Sequence, residues 1–268
     1  MPNLLLQKIT LILITAITLW LPSNVLAWGM TGHRVVGEVA DFYLSVKARA
    51  AIKKIIGNER LALAANWADF IKSDTSFKYM DSWHYVNLPA GLNKEGVFNY
   101  LDTEKVPNIY NKTLEMIAVL KNPKSTLAQK QLALRLVIHF IGDMNQPMHV
   151  ARKDDQGGNR VNVFWFNEKT NLHRIWDSQL IDYQQLSYSE YARAINDPSP
   201  IQLVNWKKST IKDAVYESYE ACNKIYSMTK PDDKLSYRYN FDFADILNVQ
   251  LLKGGIRLAQ VLNNIYGI

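Results

Sequence analysis

The segment 139–150 concentrates side chains that could bind a metal ion. It contains His139, Asp143 and His149, whereas the whole chain has five histidines. Because His139 and Asp143 are four positions apart, they would share one face of a helix. That spacing suits two ligands of one metal ion, or a carboxylate that bridges two ions. His149 follows Pro147, where we expect the helix to end and the chain to fold back towards the same face.

The same pair of residue types recurs at His173 and Asp177, again four positions apart. A single pair is weak evidence, because such a pair more often forms a surface salt bridge or places a hydrogen-bonded histidine in the core. Two pairs together with His149 favour metal binding over that alternative.

The two remaining histidines also have a possible partner nearby. His84 lies fifteen positions after Asp69, and His33 lies five positions after Trp28. A set of imidazole and carboxylate ligands without thiolate favours zinc, with manganese or iron as less suitable alternatives. The only cysteine, Cys222, lies in a stretch with helical periodicity and is predicted to pack in the core.

Residues 1–27 are typical of a secretory signal peptide. Lys8 gives a positive start, residues 9–21 are apolar, and Val25 and Ala27 fit the small-residue pattern of a cleavage site. A membrane anchor is the alternative, but the apolar run is short for a helix that spans a bilayer. Cleavage after Ala27 would leave a mature chain 28–268 without a membrane anchor, long enough for one sizeable domain.

Cleavage would also make Trp28 the first residue of the mature chain. A free α-amine has a pKa of about 8, and once deprotonated it is a good nitrogen ligand for zinc. Trp28 could therefore chelate a metal ion through its amine and its carbonyl oxygen, with His33 as a further ligand. Gly29 and Gly32 would allow the backbone to bend around the ion. A mobile chain end is the alternative for a first residue.

The charge and the cysteine content limit the class of protein further. The net charge is +6, and loss of Lys8 with the signal peptide would leave +5, which is compatible with a polyanionic substrate. With one cysteine no intramolecular disulfide can form, so an exported chain must be stabilised by packing or by metal ions.

Hydrophobic periodicity predicts a mainly α, single-domain fold. One helix is indicated by the apolar stripe Val35, Val39, Phe42 and Val46. A second helix should have Ser125 as its cap and end at Pro147, and late helices are expected at about 199–224 and 243–264. Alternation between 161 and 166 predicts one small β-hairpin, with a turn near 167–170, that leads into a helix at His173.

These residues resemble the metal site of the zinc-dependent single-strand-specific nucleases, the S1/P1 nuclease family, which is related to zinc phospholipase C. The resemblance rests on Trp-x4-His, Asp-x14-His, His-x3-Asp-x5-His and His-x3-Asp, which begin at Trp28, Asp69, His139 and His173. It extends from 28 to 177 and fills all nine ligand positions with the expected residue types. It implies a mainly helical domain that holds three zinc ions in one cleft.

The resemblance implies how the ligands are shared between the ions. The first zinc ion would be held by Asp69, His84, His139 and Asp143, the second by His149, His173 and Asp177, and the third by Trp28 and His33, with Asp143 bridging it to the first. The implied activity is hydrolysis of single-stranded DNA and RNA to 5′-phosphorylated products by a zinc-activated water, together with 3′-nucleotidase activity on nucleotides. Asp69 could orient that water as well as bind metal.

The resemblance also implies three residues that contact the substrate. Tyr85 would stack on a nucleobase, Asn159 would contact that base, and Lys72 would stabilise the charge of the phosphate. Stacking requires an unpaired base, which would explain a preference for single strands. The alternatives are core packing for Tyr85, a turn for Asn159 and a solvated surface position for Lys72.

The chain departs from the eukaryotic members of that family, because with one cysteine it cannot form their disulfides. This departure indicates a bacterial version that is periplasmic or secreted. It affects the expected loops, and with them substrate specificity, more than the metal site.

Two other functions could use the same residues. A zinc phospholipase C shares the three-zinc cluster, but the spacings Trp28-x4-His33 and His149-x23-His173, with Asp177 as the last ligand, favour the nucleases. A non-catalytic zinc-binding protein would need closed four-ligand sites. Three protein ligands at one site leave a position open, which is the catalytic pattern.

Overall fold

The chain folds mainly into α-helices in the computed structural model, which describes residues 28–267. The predicted signal peptide at 1–27 lies outside the described residues. The α-helices are α1 (Met30–Tyr43), α2 (Val46–Ile56), α3 (Leu61–Ala64), α4 (Trp67–Phe70), α5 (Lys94–Thr103), α6 (Ile109–Lys121), α7 (Leu127–Met144), α8 (Leu172–Arg174), α9 (Leu180–Tyr183), α10 (Tyr188–Ile195), α11 (Pro200–Lys208), α12 (Ile211–Met228) and α13 (Tyr237–Tyr266). Short 3-10 helices cover Ile71–Ser73, Thr75–His84 and Pro147–Val150, and a π-helix covers Ile175–Gln179.

The long helix α13 packs against α1 and α7 and forms the centre of the domain. Its contact with α1 is close at Gly255, where a Cβ atom would overlap the side chain of Val39. Close packing of the two backbones therefore requires glycine at this position.

The predicted stripe on α1 is only half correct. Val35 and Val39 are buried, but Phe42 in the last turn of α1 is exposed. Val46 is also exposed, because α1 ends at Tyr43 and Val46 begins a new helix.

Helix α7 carries the central ligand pair and is buried along its second half. Its N-cap is Thr126, whose hydroxyl accepts a hydrogen bond from the Gln129 N–H in a capping box, and not Ser125 as the sequence predicted. The Ser125 hydroxyl instead donates to the Val119 carbonyl at the end of α6. The helix ends at Met144, ahead of the predicted end at Pro147, which begins the next 3-10 helix.

The predicted hairpin is confirmed as β1 (Asn162–Trp165) and β2 (Glu168–Asn171), which pair antiparallel. Its turn is tighter than predicted, because Phe166 and Asn167 both adopt positive φ angles, 48° and 68°, which suit a two-residue hairpin turn. A third strand, β3 (Lys234–Leu235), pairs parallel with β1. The sequence analysis did not predict this strand, because two residues are too few to show a period.

The late helices differ from the predicted boundaries. The expected helix at 199–224 is interrupted at Ser209 and becomes α11 and α12, because Thr210 caps a new helix through a capping box with Asp213. The last helix is also longer than predicted, since α13 already begins at Tyr237.

Cys222 is fully buried on α12, as predicted. Among the residues that the structure describes, no helix is long and apolar enough to cross a membrane.

Candidate active site

Eight of the nine predicted ligands are histidines and aspartates, and the fold buries them side by side. They are His33 on α1, Asp69 on α4, His84 at the end of a 3-10 helix, His139 and Asp143 on α7, His149 on a second 3-10 helix, His173 on α8 and Asp177 on the π-helix. None is more than 6% exposed. Side chains that are distant in sequence therefore converge, and their ligand atoms form three groups, each able to hold a metal ion.

The first group surrounds the carboxylate of Asp143. His84 Nδ1 and His139 Nε2 each lie 3.1 Å from Asp143 Oδ2, and the two ring nitrogens are 2.9 Å apart. The spacing of four residues on α7 places His139 and Asp143 on the same face, as predicted. Three ligand atoms within this distance can all contact one cation.

His33 and Asp69 adjoin the first group from the other side. His33 Nε2 lies 3.2 Å from Asp143 Oδ1 and 3.9 Å from Asp69 Oδ2. Its ring stacks on His139, with ring centroids 3.9 Å apart. By proximity His33 forms a group with Asp69 and His139. Asp143 therefore lies between His33 and His84, where its two oxygens can serve two ions.

The second group contains His149, His173 and Asp177. His173 Nε2 lies 3.0 Å from Asp177 Oδ2, and His149 Nε2 lies 3.3 Å from Asp177 Oδ1. Asp177 lies on the π-helix, a rare form that occurs frequently at functional sites. This group is joined to the first through His149 Nδ1, which lies 3.6 Å from Asp143 Oδ1.

Backbone carbonyl groups fix the orientation of three of these histidine rings. His139, His149 and His173 each direct Nδ1 at a carbonyl oxygen. The acceptors are Ala65 at 2.7 Å, His84 at 2.7 Å and Gly157 at 2.6 Å. Since a carbonyl oxygen only accepts, Nδ1 carries its hydrogen and Nε2 is left to face the ligand group. This arrangement is typical of histidines that bind a metal through Nε2.

Several buried polar atoms in these groups have no hydrogen-bond partner. They are both ring nitrogens of His33, Asp69 Oδ2, Asp143 Oδ1, His149 Nε2 and Asp177 Oδ2. Some lie near an oppositely charged atom, but without the geometry of a hydrogen bond. An unsatisfied buried polar group costs about 1–3 kcal/mol, and a metal ion bound to these lone pairs would remove that cost. The residues therefore fit a set of metal ions.

The pKa values of Asp143 and His149 are shifted because ionisable side chains are packed closely together in this buried site. Burial opposes the charged form of Asp143, but His139, His149 and His33 hold its pKa well below the usual value. Burial opposes protonation of His149, yet Asp143 and Asp177 outweigh it and raise its pKa to about 9. Without metal, protons on His139 and His149, whose pKa values are raised by the neighbouring aspartates, would balance buried carboxylate charge. A metal ion would replace those protons.

Trp28, the ninth predicted ligand, is fully buried next to these groups. Its indole N–H donates to the Gly142 carbonyl at 2.7 Å, one residue before Asp143. The following amide, on Gly29, donates to the Asp177 carbonyl at 2.5 Å. Trp28 and Gly29 are therefore held between the two groups, in contrast to the mobile chain end considered as the alternative. Metal binding by its amine and carbonyl oxygen stays a prediction.

A cavity of about 330 Å³ opens beside the ligands and contains all three predicted substrate residues. Its lining residues are Lys72, Asp81, His84, Tyr85, Asn87, Met148, His149, Gln156, Asn159 and His173. Tyr85 is 40% exposed and is therefore not a core residue. Asn159 Nδ2 donates to the Gln156 carbonyl, which leaves Asn159 Oδ1 without a partner. Lys72 Nζ lies 2.7 Å from Asp69 Oδ1.

The sequence analysis missed residues that support or line the site. Gln146 is fully buried, donates to Asp177 Oδ1 and accepts from the Met148 N–H at 2.5 Å. Its position between Asp143 and His149 was the available signal. Asp81, which the sequence analysis did not single out, lines the cavity. Asn87 also lines the cavity, two positions after Tyr85.

Comparison with known proteins identifies the family. The sequence model of the S1/P1 nucleases matches residues 28–267. The chain belongs to the S1/P1 nuclease family. It is therefore a nuclease, an enzyme that hydrolyses phosphodiester bonds of nucleic acids. The resemblance inferred from the ligand spacing is confirmed, as is the mainly helical fold.

Curated S1/P1 relatives match over nearly the full length of the chain. Endonuclease 2 of Arabidopsis thaliana is 29% identical, with 97% of this chain and 99% of the relative covered. Endonuclease 4 of the same plant is 30% identical, with 91% of both chains covered. Nuclease P1 of Penicillium citrinum is 28% identical, with 90% of this chain and 98% of the relative covered.

Removal of metal should destabilise this protein. Chelation would leave the ligand atoms of His33, Asp143 and Asp177 buried without partners, so we expect the melting temperature to fall by several degrees. Calorimetry before and after dialysis against a chelator measures the shift, and re-addition of metal should reverse it. An unchanged melting temperature, with metal analysis proving that metal had been present and was removed, would contradict metal binding at these groups.

Proposed function

We propose that this nuclease is a zinc-dependent endonuclease that hydrolyses single-stranded DNA and RNA to 5′-phosphorylated products, with 3′-nucleotidase activity. One observation carries the proposal: two of the three buried histidine–aspartate groups reach, through His84, His149 and His173, a cavity that is also lined by the exposed Tyr85. The metal ligands explain hydrolysis, and the tyrosine explains the choice of single strands. A phospholipase C or a non-catalytic zinc protein would leave Tyr85 and Asn159 without a role.

The donor atoms support zinc as the metal. Imidazole and carboxylate ligands without thiolate, in groups of three or four, match catalytic zinc sites. We assign Asp69, His84, His139 and Asp143 to one ion, His149, His173 and Asp177 to a second, and Trp28 with His33 to a third that Asp143 bridges to the first. When bound, zinc would supply Lewis acidity that lowers the pKa of water and offsets phosphate charge.

Asp69 and Lys72 have complementary roles in this proposal. Burial would raise the pKa of Asp69, but four neighbouring side chains lower it below its usual value. They are His139, Lys72, His33 and His84. The carboxylate of Asp69 therefore stays ionised. An ionised Asp69 can accept a hydrogen bond from the attacking water and orient it. Lys72 lies on the cavity side of Asp69, where its ammonium group can contact a phosphate oxygen and reduce the charge that develops there.

Tyr85 and Asn159 give the cavity its preference for unpaired bases. An aromatic ring binds the face of any base by stacking, which is worth about 1–3 kcal/mol per base. The side-chain oxygen Oδ1 of Asn159, which has no hydrogen-bond partner, can accept a hydrogen bond from the edge of the same base. A base inside a duplex exposes neither its face nor its pairing edge. Single strands therefore fit this cavity better than duplexes do.

The function is tested with mature protein 28–268 and matched single- and double-stranded DNA and RNA. We expect faster loss of the single strands, abolished by a chelator and restored by zinc, with 5′-phosphate on the products. Degradation that continues after the metal has been removed would contradict zinc dependence, and equal rates on both strand forms would contradict the proposed selection. Hydrolysis of phosphatidylcholine with no nuclease activity would favour the phospholipase.

Replacing Tyr85 separates stacking from chemistry. We expect Tyr85→Ala to raise KM for single strands by roughly 5- to 100-fold, because it removes one stacked base. Tyr85→Phe keeps the ring and should behave like the original protein. Steady-state kinetics on a short single strand measures both variants. Equal effects of the two substitutions would show that the hydroxyl, and not the ring face, binds the substrate.

We propose that the chain is exported, with residues 1–27 removed as a signal peptide, to the periplasm or the medium. The support is the composition of residues 1–27 together with the buried position of Trp28 beside the ligands. We expect N-terminal sequencing of protein from the exported fraction to begin at Trp28. A start at another residue would contradict both the cleavage site and the use of the Trp28 amine as a ligand.

A further inference from the structure

The loop 151–161 joins a ligand helix to strand β1 and borders the cavity. Gln156 and Asn159 line the cavity, and the carbonyl oxygen of Gly157 accepts the hydrogen of His173 Nδ1 at 2.6 Å. One loop thus contacts both the proposed base site and a proposed metal ligand. A shift of the loop would move both.

The loop holds this position in an unusual backbone conformation. Gln156, Gly157 and Gly158 have consecutive positive φ angles of 56°, 67° and 81°. A Cβ atom on Gly157 would lie 2.6 Å from the Met148 carbonyl oxygen, so this glycine permits a close approach to the ligand segment. For the non-glycine residue Gln156 such a conformation is unfavourable, and it persists only when surrounding contacts enforce it.

Those contacts come from within the loop and from Tyr226 of α12, which does not line the cavity. Asp155 Oδ1 accepts two hydrogen bonds at 2.8 Å, one from the Gly158 N–H and one from the hydroxyl of Tyr226. The Arg152 guanidinium lies 4.1 Å from the centre of the Tyr226 ring, and the Arg152 carbonyl accepts the Gly157 N–H at 2.9 Å. Tyr226 therefore contacts the two residues, Arg152 and Asp155, whose carbonyl and carboxylate oxygens accept the N–H groups of Gly157 and Gly158.

The chemistry of these groups suits a fixed contact. Burial raises the pKa of Tyr226, so its hydroxyl stays protonated and acts as a donor to the carboxylate of Asp155. A charged acceptor makes such a hydrogen bond stronger than a neutral one. The cation–π contact with Arg152 holds the ring itself in place. Neither Tyr226 nor Asp155 is among the residues that line the cavity.

We propose that Tyr226 is a positioning residue for the active site: through Asp155 it fixes the conformation of the loop 151–161, and thereby the place of Asn159 and the orientation of His173. The consequence for substrate binding rests on the proposed function. The consequence for the loop and for His173 does not require nuclease activity.

The first test compares two Tyr→Phe substitutions on the same helix. Tyr226→Phe removes the hydroxyl that bonds Asp155 but keeps the ring against Arg152. Tyr216→Phe, the matched control, removes a hydroxyl that bonds Glu220 on the same helix. In hydrogen–deuterium exchange, we expect Tyr226→Phe to increase exchange in peptides that cover 152–160, while Tyr216→Phe leaves them unchanged. Equal exchange in the two variants would overturn the proposal.

The second test asks whether the loop controls the site. Zinc-loaded Tyr226→Phe should release zinc to a chromogenic chelator roughly five-fold faster than the original protein, as loss of one hydrogen bond predicts. On single-stranded DNA its KM should rise by a similar factor while kcat changes less. Unchanged zinc release and unchanged KM, despite a faster-exchanging loop, would overturn the link to His173 and Asn159.

Substitutions at Asp155 separate positioning from general stability. Asp155→Asn keeps an oxygen that can accept both hydrogen bonds but loses the charge, so its effects on exchange, zinc release and KM should be smaller than those of Asp155→Ala. Asp155→Ala should reproduce or exceed the effects of Tyr226→Phe. If both variants lower the melting temperature equally and leave exchange at 152–160 unchanged, the contact is merely structural. A wild-type protein without nuclease activity would reject the proposed function, yet the exchange comparison would still decide this inference.

Discussion

The buried carboxylate of Asp143 is the constraint around which the site is built. An ionised carboxylate in the core is unfavourable unless positive charge or hydrogen bonds compensate it. Here the compensation comes from imidazoles on four sides, supplied by His33, His84, His139 and His149. A site of this kind cannot form from one local segment. It needs a fold that brings α1, α7 and two 3-10 helices to the same point.

Helix α13 helps to meet that requirement, because it hydrogen-bonds the residue that follows the C-terminal end of α7. Asn145, which follows α7, is fully buried, and Arg257 of α13 donates to its side chain at 2.6 Å. Gln250 of the same helix donates to the Asn145 carbonyl at 2.9 Å. The long helix α13 thus fixes the turn between Asp143 and His149. Arg257 and Gln250, which are distant from the ligands in the sequence, therefore help to determine the positions of Asp143 and His149.

The sequence predicted which side chains converge better than it predicted the elements that carry them. Spacings such as His139 to Asp143 are local and follow from helix geometry, so the pattern alone shows which side chains share a face. Helix boundaries depend on competition between neighbouring caps, which is why Ser125 was chosen where Thr126 is the cap. The strand at Lys234–Leu235 and the contact of Tyr226 with Asp155 depend on tertiary structure, and no local pattern indicates either of them.

The wide separation of the ligands along the chain has a consequence for folding. A metal ion bound between His33 and Asp143 would hold together two distant parts of the backbone, as a disulfide does. It would stabilise the folded chain through its binding free energy, because the site does not exist in the unfolded chain. Cys222 is the only cysteine and is buried, so this chain has no internal covalent cross-link of that type. Its cross-links would be reversible coordination bonds to metal ions. The lifetime of the folded protein would then follow the supply of metal and not the redox state of its surroundings.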